Sequence, residues 1–180
     1  QIEFLKMEIS EKDKIAYLNK MEKEIQQYEA ENKTGNRILD TILTTKSLNC
    51  QEKNIQMTCV ADGKALDFVN PMDICSIFGN ALDNAITSAE KVENPERRLI
   101  HVTVSQEKSF LRIKIENSFQ GVLKMKNQLP ITTKEDRRYH GFGLKSMKEI
   151  AEKYKGSMTV SAKDGWFELR ILIPLPESEK

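Results

Sequence analysis

Apolar residues recur along this chain with two periods, and the changes of period mark out its elements. Over residues 1–31, Ile2, Leu5 and Ile9, then Ile15, Leu18, Met21, Ile25 and Tyr28, fall at helical spacing. The phase slips at Ser10-Glu-Lys-Asp13, a stretch with the form of a capping box, so two helices joined by a tight turn are expected. A narrow apolar stripe on a charged helix needs a partner surface. Its likeness to a bundle seam favours dimerisation over packing within the chain. Thr34-Gly35 breaks the pattern, which places a domain boundary at residues 32–35. Thr34 is the expected cap of a helix carrying Ile38, Leu39, Ile42, Leu43 and Leu48.

Residues 55–60 alternate as a strand, and Asp62-Gly63 supplies a turn. In NPMDICSIFGNALDNAITSAEK, residues 70–91, Asn70 can cap a helix and Pro71 suits its first position. Ile74, Ile77, Phe78, Ala81, Leu82, Ala85 and Ala89 gather on one arc of that helix as a core face, with Asp73, Asn80, Asn84 and Thr87 expected opposite. Leu99, Ile100, Val102 and Val104, then Phe110, Leu111, Ile113 and Ile115, form a β-hairpin turning at residues 106–108. Residues 117–140 are polar, basic and weakly periodic, and they contain Pro130; a loop of that length in a compact domain points to function or disorder. An amphipathic helix follows through Leu144, Met147, Ile150 and Ala151 to Tyr154, with Gly156 as its stop. A second hairpin around Asp164-Gly165 closes the chain. The order predicts an α+β fold with mostly antiparallel strands.

Composition changes this picture little. With 39% hydrophobic and 31% charged residues the chain reads as globular, and a net charge of +1 gives no overall field for nucleic acid or an anionic membrane. No apolar run has the length of a membrane span, although a chain opening at Gln1 reads as a fragment, which leaves room for an anchor upstream. Cys50, Cys59 and Cys75 are odd in number and lack a CxxC pairing, so reduced thiols in a cytoplasmic setting are expected.

Three stretches could carry chemistry. Asn80 and Asn84 project from successive turns, a spacing that suits two amide oxygens serving one ligand or hydrated cation, although asparagine is also ordinary on a solvated face. Asn117-Ser-Phe-Gln-Gly121 leaves a strand. Gly141-Phe-Gly143 opens a helix whose free N–H groups suit an anion, or make a simple capping turn. Lys124, Lys126, Lys134, Arg137 and Arg138 suit a mobile lid over a triphosphate, or are solvated loop charges.

The motifs GNALDNAITSAEK, ENSFQG and HGFGLKSMKEIAEKY, in this order, resemble the catalytic ATP-binding domain of sensor histidine kinases, in the superfamily shared with gyrase, heat-shock chaperones and MutL. More narrowly they resemble the peptide-sensing, quorum-sensing branch, over roughly residues 34–176. The resemblance implies a Bergerat-type two-layer α/β sandwich: a mixed, mostly antiparallel sheet with helices on one face. A short helical hairpin would precede it. Residues 1–33 would be the remainder of the dimerisation and phosphoacceptor hairpin, and residues 34–180 the catalytic domain.

It also implies ATP and Mg2+ as ligands. Asn84 matches the magnesium-coordinating asparagine, and Asn80 matches the first position of that motif, near the phosphates and counted with the catalytic residues. Asn117 stands where an aspartate usually meets the adenine amine. Gly121 closes the same motif, whose middle glycine is Phe119 here. Lys124 belongs to the lid, and Gly141, Gly143 and Leu144 to the second glycine motif. An amide at position 117 lacks charge assistance, so a weaker adenine contact is expected. Asn80 cannot take a proton at neutral pH, which disfavours ATP hydrolysis as the main activity.

Neither His101 nor His140 fits the phosphoacceptor: the first begins a strand, and the second belongs to the lid motif as a phosphate contact or turn cap. The expected activity is transfer of the γ-phosphoryl group to a histidine outside the chain, for relay to a response regulator of LytTR type, with no autophosphorylation by the chain alone. The expected setting is the cytoplasmic part of a membrane-anchored receptor that dimerises through its N-terminal helices, touching neither nucleic acid nor membrane directly. The alternatives are a non-catalytic nucleotide-binding or dimerisation module, and an anti-sigma-type serine kinase, against which the N-terminal hairpin argues.

Overall fold

The computed structural model describes residues 10–31, 33–121, 125–126, 129–130 and 140–176. Helix α1 (Glu11–Glu31) begins at the expected cap: the Asp13 N–H donates to Ser10 Oγ at 3.2 Å, and the Ser10 hydroxyl donates to the Asp13 carboxylate at 2.6 Å. The helix expected before it lies outside the described residues. Helix α2 (Arg37–Glu52) is capped by Asn36 rather than Thr34. The Asn36 side chain accepts from the N–H groups of Ile38 and Leu39 at 3.2 and 3.1 Å, while Thr34 donates its backbone N–H and hydroxyl to Asp40 Oδ1 at 2.9 and 2.5 Å. Asparagine closes the cap from one residue before the helix, which leaves Thr34 to brace its first turn.

Across a shallow groove, Met21 and Ile25 of α1 face Leu48 of α2. Part of the N-terminal stripe is therefore satisfied within the chain, while Ile15 and Leu18, nearer the start of α1, remain 56% and 50% exposed.

Strand β1 (Gln56–Ala61) leads through a 3-10 turn at Gly63–Leu66 into α3 (Pro71–Glu90). Strands β2 (Leu99–Glu107) and β3 (Phe110–Ser118) form the first hairpin. Two short strands, β4 (Met125–Lys126) and β5 (Leu129–Pro130), pair with each other inside the stretch expected to be irregular. Helix α4 (His140–Lys153) precedes the closing hairpin of β6 (Ser157–Lys163) and β7 (Trp166–Pro174). The main sheet has the order β1-β2-β3-β7-β6. Its β1–β2 contact, bridged by α3, is parallel and the other three are antiparallel.

Period-two alternation sends Ile100, Val102 and Val104, Leu111, Ile113 and Ile115, and Leu169, Ile171 and Ile173 to one buried face. There α3 lies on β2 and β3 between α2 and α4. The other face carries ion pairs such as Lys114–Glu116 and Arg170–Glu168, both at 2.8 Å. This is the expected two-layer α/β sandwich with helices on one face.

The end of α4 refines the reading of its stop. Lys155, not Gly156, takes the left-handed turn, at φ 57°. Gly156 is required for space, since a Cβ there would lie 2.2 Å from the Leu172 carbonyl oxygen.

Candidate functional site

Helix α3 starts where its sequence predicts, with Asn70 Oδ1 accepting the Met72 N–H at 2.9 Å and Pro71 in the first turn. The seven core residues read from its periodicity are all buried, and Ile86 joins them. The polar stripe departs from expectation. Met72, Cys75, Asp83 and Glu90 point outward, whereas Asp73, Asn80, Asn84 and Thr87 are half-buried on a flank beside the core. Helix α4 packs along that flank, which makes it a helix–helix seam in place of a solvated back.

The seam brings two of the three motifs together. Asn80 Nδ2 donates to the Ser76 carbonyl oxygen at 2.8 Å and to Ser76 Oγ at 3.3 Å. With its amide nitrogen engaged, Asn80 presents its oxygen toward α4, where a Cβ on Gly143 would lie 3.3 Å from Asn80 Oδ1. Ser76 Oγ lies 3.3 Å from Ser146 Oγ of α4. One turn further on, Asn84 continues the stripe. At the other end of the seam Asp73 Oδ2 accepts from the Tyr154 hydroxyl and from Lys153 Nζ, both at 2.7 Å, and the Tyr154 oxygen accepts the Asn70 N–H at 2.9 Å.

Ionisation at this end follows from those contacts. Burial alone would raise the Asp73 carboxyl, but the hydrogen bonds from Lys153 and Tyr154 outweigh it and hold the group below its ordinary 3.8. Burial and the bond to Asp73 raise the Tyr154 phenol against the opposing Asn70 N–H, and the Asp73 contact raises the Lys153 ammonium.

Asn117 belongs to the same layer. It continues the series Leu111, Ile113, Ile115 on the helix-facing side of β3 and is 1% exposed, a buried amide where the apolar row ends. Its Nδ2 donates to the Ser118 carbonyl at 2.8 Å, which orients the side chain and leaves Oδ1 to accept. Ser118 turns to the other face, where its hydroxyl accepts the Leu99 N–H at 2.7 Å and donates to the Leu99 carbonyl at 3.2 Å, closing the hairpin where the backbone ladder ends. The Phe119 N–H donates to the Gly165 carbonyl at 2.8 Å and its ring lies 6.3 Å from Phe167. Gly121 has φ 128°, a conformation that favours glycine at the motif's closing position.

Of the remaining expected residues, Gly141 lies in the first turn of α4, and Leu144 is 8% exposed in the core, anchoring that turn. Lys124, Lys134, Arg137 and Arg138 lie outside the described residues. His101 faces the open side of the sheet, with Nδ1 2.6 Å from Thr58 Oγ1 and its ring stacked on Trp166 at 5.2 Å. A cavity of about 500 Å3 opens beside Ser118, Phe119, Leu99 and Trp166, and its lining includes none of Asn80, Asn84 and Asn117. Sequence reading missed Ser76 and Ser146. Their signals were a hydroxyl one turn before Asn80 and another one turn after Gly143, on the facing stripes.

Among the described residues no group of three or more His, Cys, Asp or Glu converges to cage a metal. A neutral amide oxygen such as that of Asn84 is a hard donor. It suits Mg2+, which takes one or two protein oxygens and completes its octahedron with phosphates and water. The donor set therefore fits the ion that the motif resemblance implies.

No curated protein sequence matches the chain. Among solved structures, the nucleotide-free catalytic domain of histidine kinase ThkA superimposes with TM-score 0.60 at 20% identity, covering 78% of this chain and 93% of that one. A second crystal form of the same domain gives TM-score 0.61 at 21% identity, over 77% of this chain and 93% of that one. Acinetobacter baumannii histidine kinase AdeS gives TM-score 0.54 at 14% identity, over 95% and 88% of the two chains. These likenesses concern the fold. A family model described as a GHKL domain matches residues 69–174, more than half of the chain and all three motifs, and the chain belongs to the GHKL domain family.

Proposed function

We propose that this chain is the ATP-binding catalytic domain of a sensor histidine kinase, and that it transfers the γ-phosphoryl group of ATP to a histidine outside residues 1–180. The observation that carries the reading is the meeting of Asn80 with Gly143 across the α3–α4 seam, with the Asn117 amide buried in the same helix-facing layer. Three motifs distant in sequence thereby line one side of the sheet.

In this reading Asn117 accepts from the adenine amine through Oδ1, and the backbone turn at Gly121 clears the base. Free N–H groups in the first turn of α4, around Gly141 and Gly143, face the phosphates, where the helix dipole favours negative charge. Leu144 fixes that turn from the core, and Lys124 offsets phosphate charge. Asn84 would hold magnesium, which would supply neutralisation of the phosphate charge. Asn80 contributes a polar oxygen but no base, so water is not activated and transfer to a histidine is favoured over hydrolysis. In that transfer the bond from the γ-phosphorus to the β–γ bridging oxygen breaks, a phosphorus–nitrogen bond forms on the acceptor imidazole, and ADP leaves.

The acceptor is not His101, which is held by Thr58 and Trp166 on the face of the sheet away from α3. Dimerisation through the exposed Ile15 and Leu18 flank of α1, a LytTR-type response regulator as relay partner, and a place in the quorum-sensing branch complete the reading. A second reading, a nucleotide-binding or dimerisation module without catalysis, is favoured by Asn117 and by Phe119 at a glycine position. Incubation with γ-labelled ATP and magnesium, with and without a helical hairpin bearing an acceptor histidine, separates the two. Acid-labile label on the hairpin and none on the chain is expected. Stoichiometric phosphohistidine on the chain itself, or no transfer despite bound ATP, contradicts the proposal.

A further inference from the structure

The residues that build the α3–α4 seam extend well beyond the three motifs. Polar contacts cross it at two further places besides the meeting of Asn80 with Gly143. Near the middle, Ser76 Oγ and Ser146 Oγ lie 3.3 Å apart, and Ser76 also holds the Asn80 amide. At the far end, Asp73 takes both the Tyr154 hydroxyl and Lys153 Nζ at 2.7 Å, while the Tyr154 oxygen takes the Asn70 N–H at 2.9 Å. Tyr154 thus ties the last residues of the α4 segment to both the cap and the first turn of α3. Its ring is fixed edge-on against Phe68 at 6.2 Å, so the hydroxyl has little freedom to leave.

Leu144, Met147 and Ala151 hold α4 on the core by apolar contacts, which have no direction, whereas the hydrogen bonds at its C-terminal end fix where it lies along α3. Those bonds lie on the order of 15 Å along α4 from Gly143, at the usual rise per residue. A small rotation there is magnified at the glycine end, where the space between Gly143 and Asn80 would hold a Cβ only at 3.3 Å from Oδ1. The helix N-terminus proposed to meet phosphate therefore depends on a contact that touches neither nucleotide nor metal.

We infer that Asp73 and Tyr154 are positioning residues for the nucleotide site: their hydrogen-bonded clasp sets the register of α4 on α3, and so the placement of the Gly143 turn beside Asn80. This rests on the proposed ATP-binding function. The clasp itself is a property of the nucleotide-free protein and can be read without ATP.

The test uses the full chain, with Tyr154→Phe, which keeps the ring and removes the hydroxyl, and Asp73→Asn. Val104→Ala, in the core strand β2, serves as a control for general loss of stability. Without nucleotide, amide hydrogen exchange over residues 143–150 is expected to quicken in both clasp variants relative to the control. With magnesium and ATP, calorimetry is expected to show dissociation constants about three- to tenfold weaker, the worth of one hydrogen bond, in the clasp variants and not in the control. Unchanged exchange in α4 overturns the clasp. Faster exchange with unchanged affinity, or an equal loss of affinity in the control, overturns the positioning role. A wild-type chain that binds no ATP refutes the functional reading and the positioning role together, while exchange still reports on the clasp.

Discussion

Asn80 of α3 and Gly143 of α4 are matched across a seam in which a single methyl group on the glycine would stand 3.3 Å from the asparagine Oδ1. The asparagine cannot easily yield, because its nitrogen is bonded to the Ser76 carbonyl and hydroxyl oxygens. Glycine at 143 is thus explained by space and by what faces it.

Gly143→Ala sets two effects against each other. Alanine gains up to about 1 kcal/mol in a helix, while crowding in a packed seam costs about 1–3 kcal/mol. Melting is expected to change little, with the loss falling on the site: ATP affinity drops about tenfold or more in titration. An alanine variant that binds ATP as tightly as wild type would separate Gly143 from the nucleotide.

The Asp73 clasp makes a prediction about acid. A carboxyl held below its ordinary 3.8 contributes stability that is present above that value and lost as the pH falls through the lower folded value. The stability difference between wild type and Asp73→Asn should therefore be full at neutral pH and shrink below about pH 4, as followed by urea unfolding across a pH series. A difference that is constant from pH 7 to pH 3 would mean that Asp73 is not ionised in the clasp.

The cysteines should divide by burial. Cys50 is buried and Cys59 half-buried, and desolvation pushes both thiols up to about 11, whereas Cys75 is exposed on α3. At pH 8 an alkylating reagent should modify one equivalent rapidly, mapped to Cys75 by mass spectrometry, with the other two reacting on unfolding. Rapid labelling of Cys50 would contradict the packing of α2 on the core.

Much of the fold was legible because each strong element carried its own period. The α3 core face, both hairpins and the Asn70 cap follow from side chains within a few residues of one another. The misreadings came where a partner distant in sequence decides the outcome. Asp73 and Asn80 fall opposite the core face on a helical wheel, which cannot show that α4 packs along their flank. Thr34 lost the cap to Asn36, since both are good caps and only the geometry of the turn chooses between them. For the site, the motif order pointed to Asn80, Asn84, Asn117, Gly121, Gly141 and Gly143. Ser76 lies outside the motifs, and the contacts it makes with Ser146, like those of Tyr154, emerge only when the two helices are laid together. Ser118, which closes the hairpin through Leu99, was hidden in the same way.

Magnesium-dependent ATP binding by calorimetry, on wild type and on Asn84→Ala and Asn84→Asp, decides whether the α3–α4 seam is a nucleotide site. One saturable site that requires magnesium is expected in the wild type, with affinity lowered about tenfold or more in at least one variant whose fold is unchanged by circular dichroism. No binding by the wild type at millimolar ATP, or wild-type affinity in both variants, would contradict that assignment.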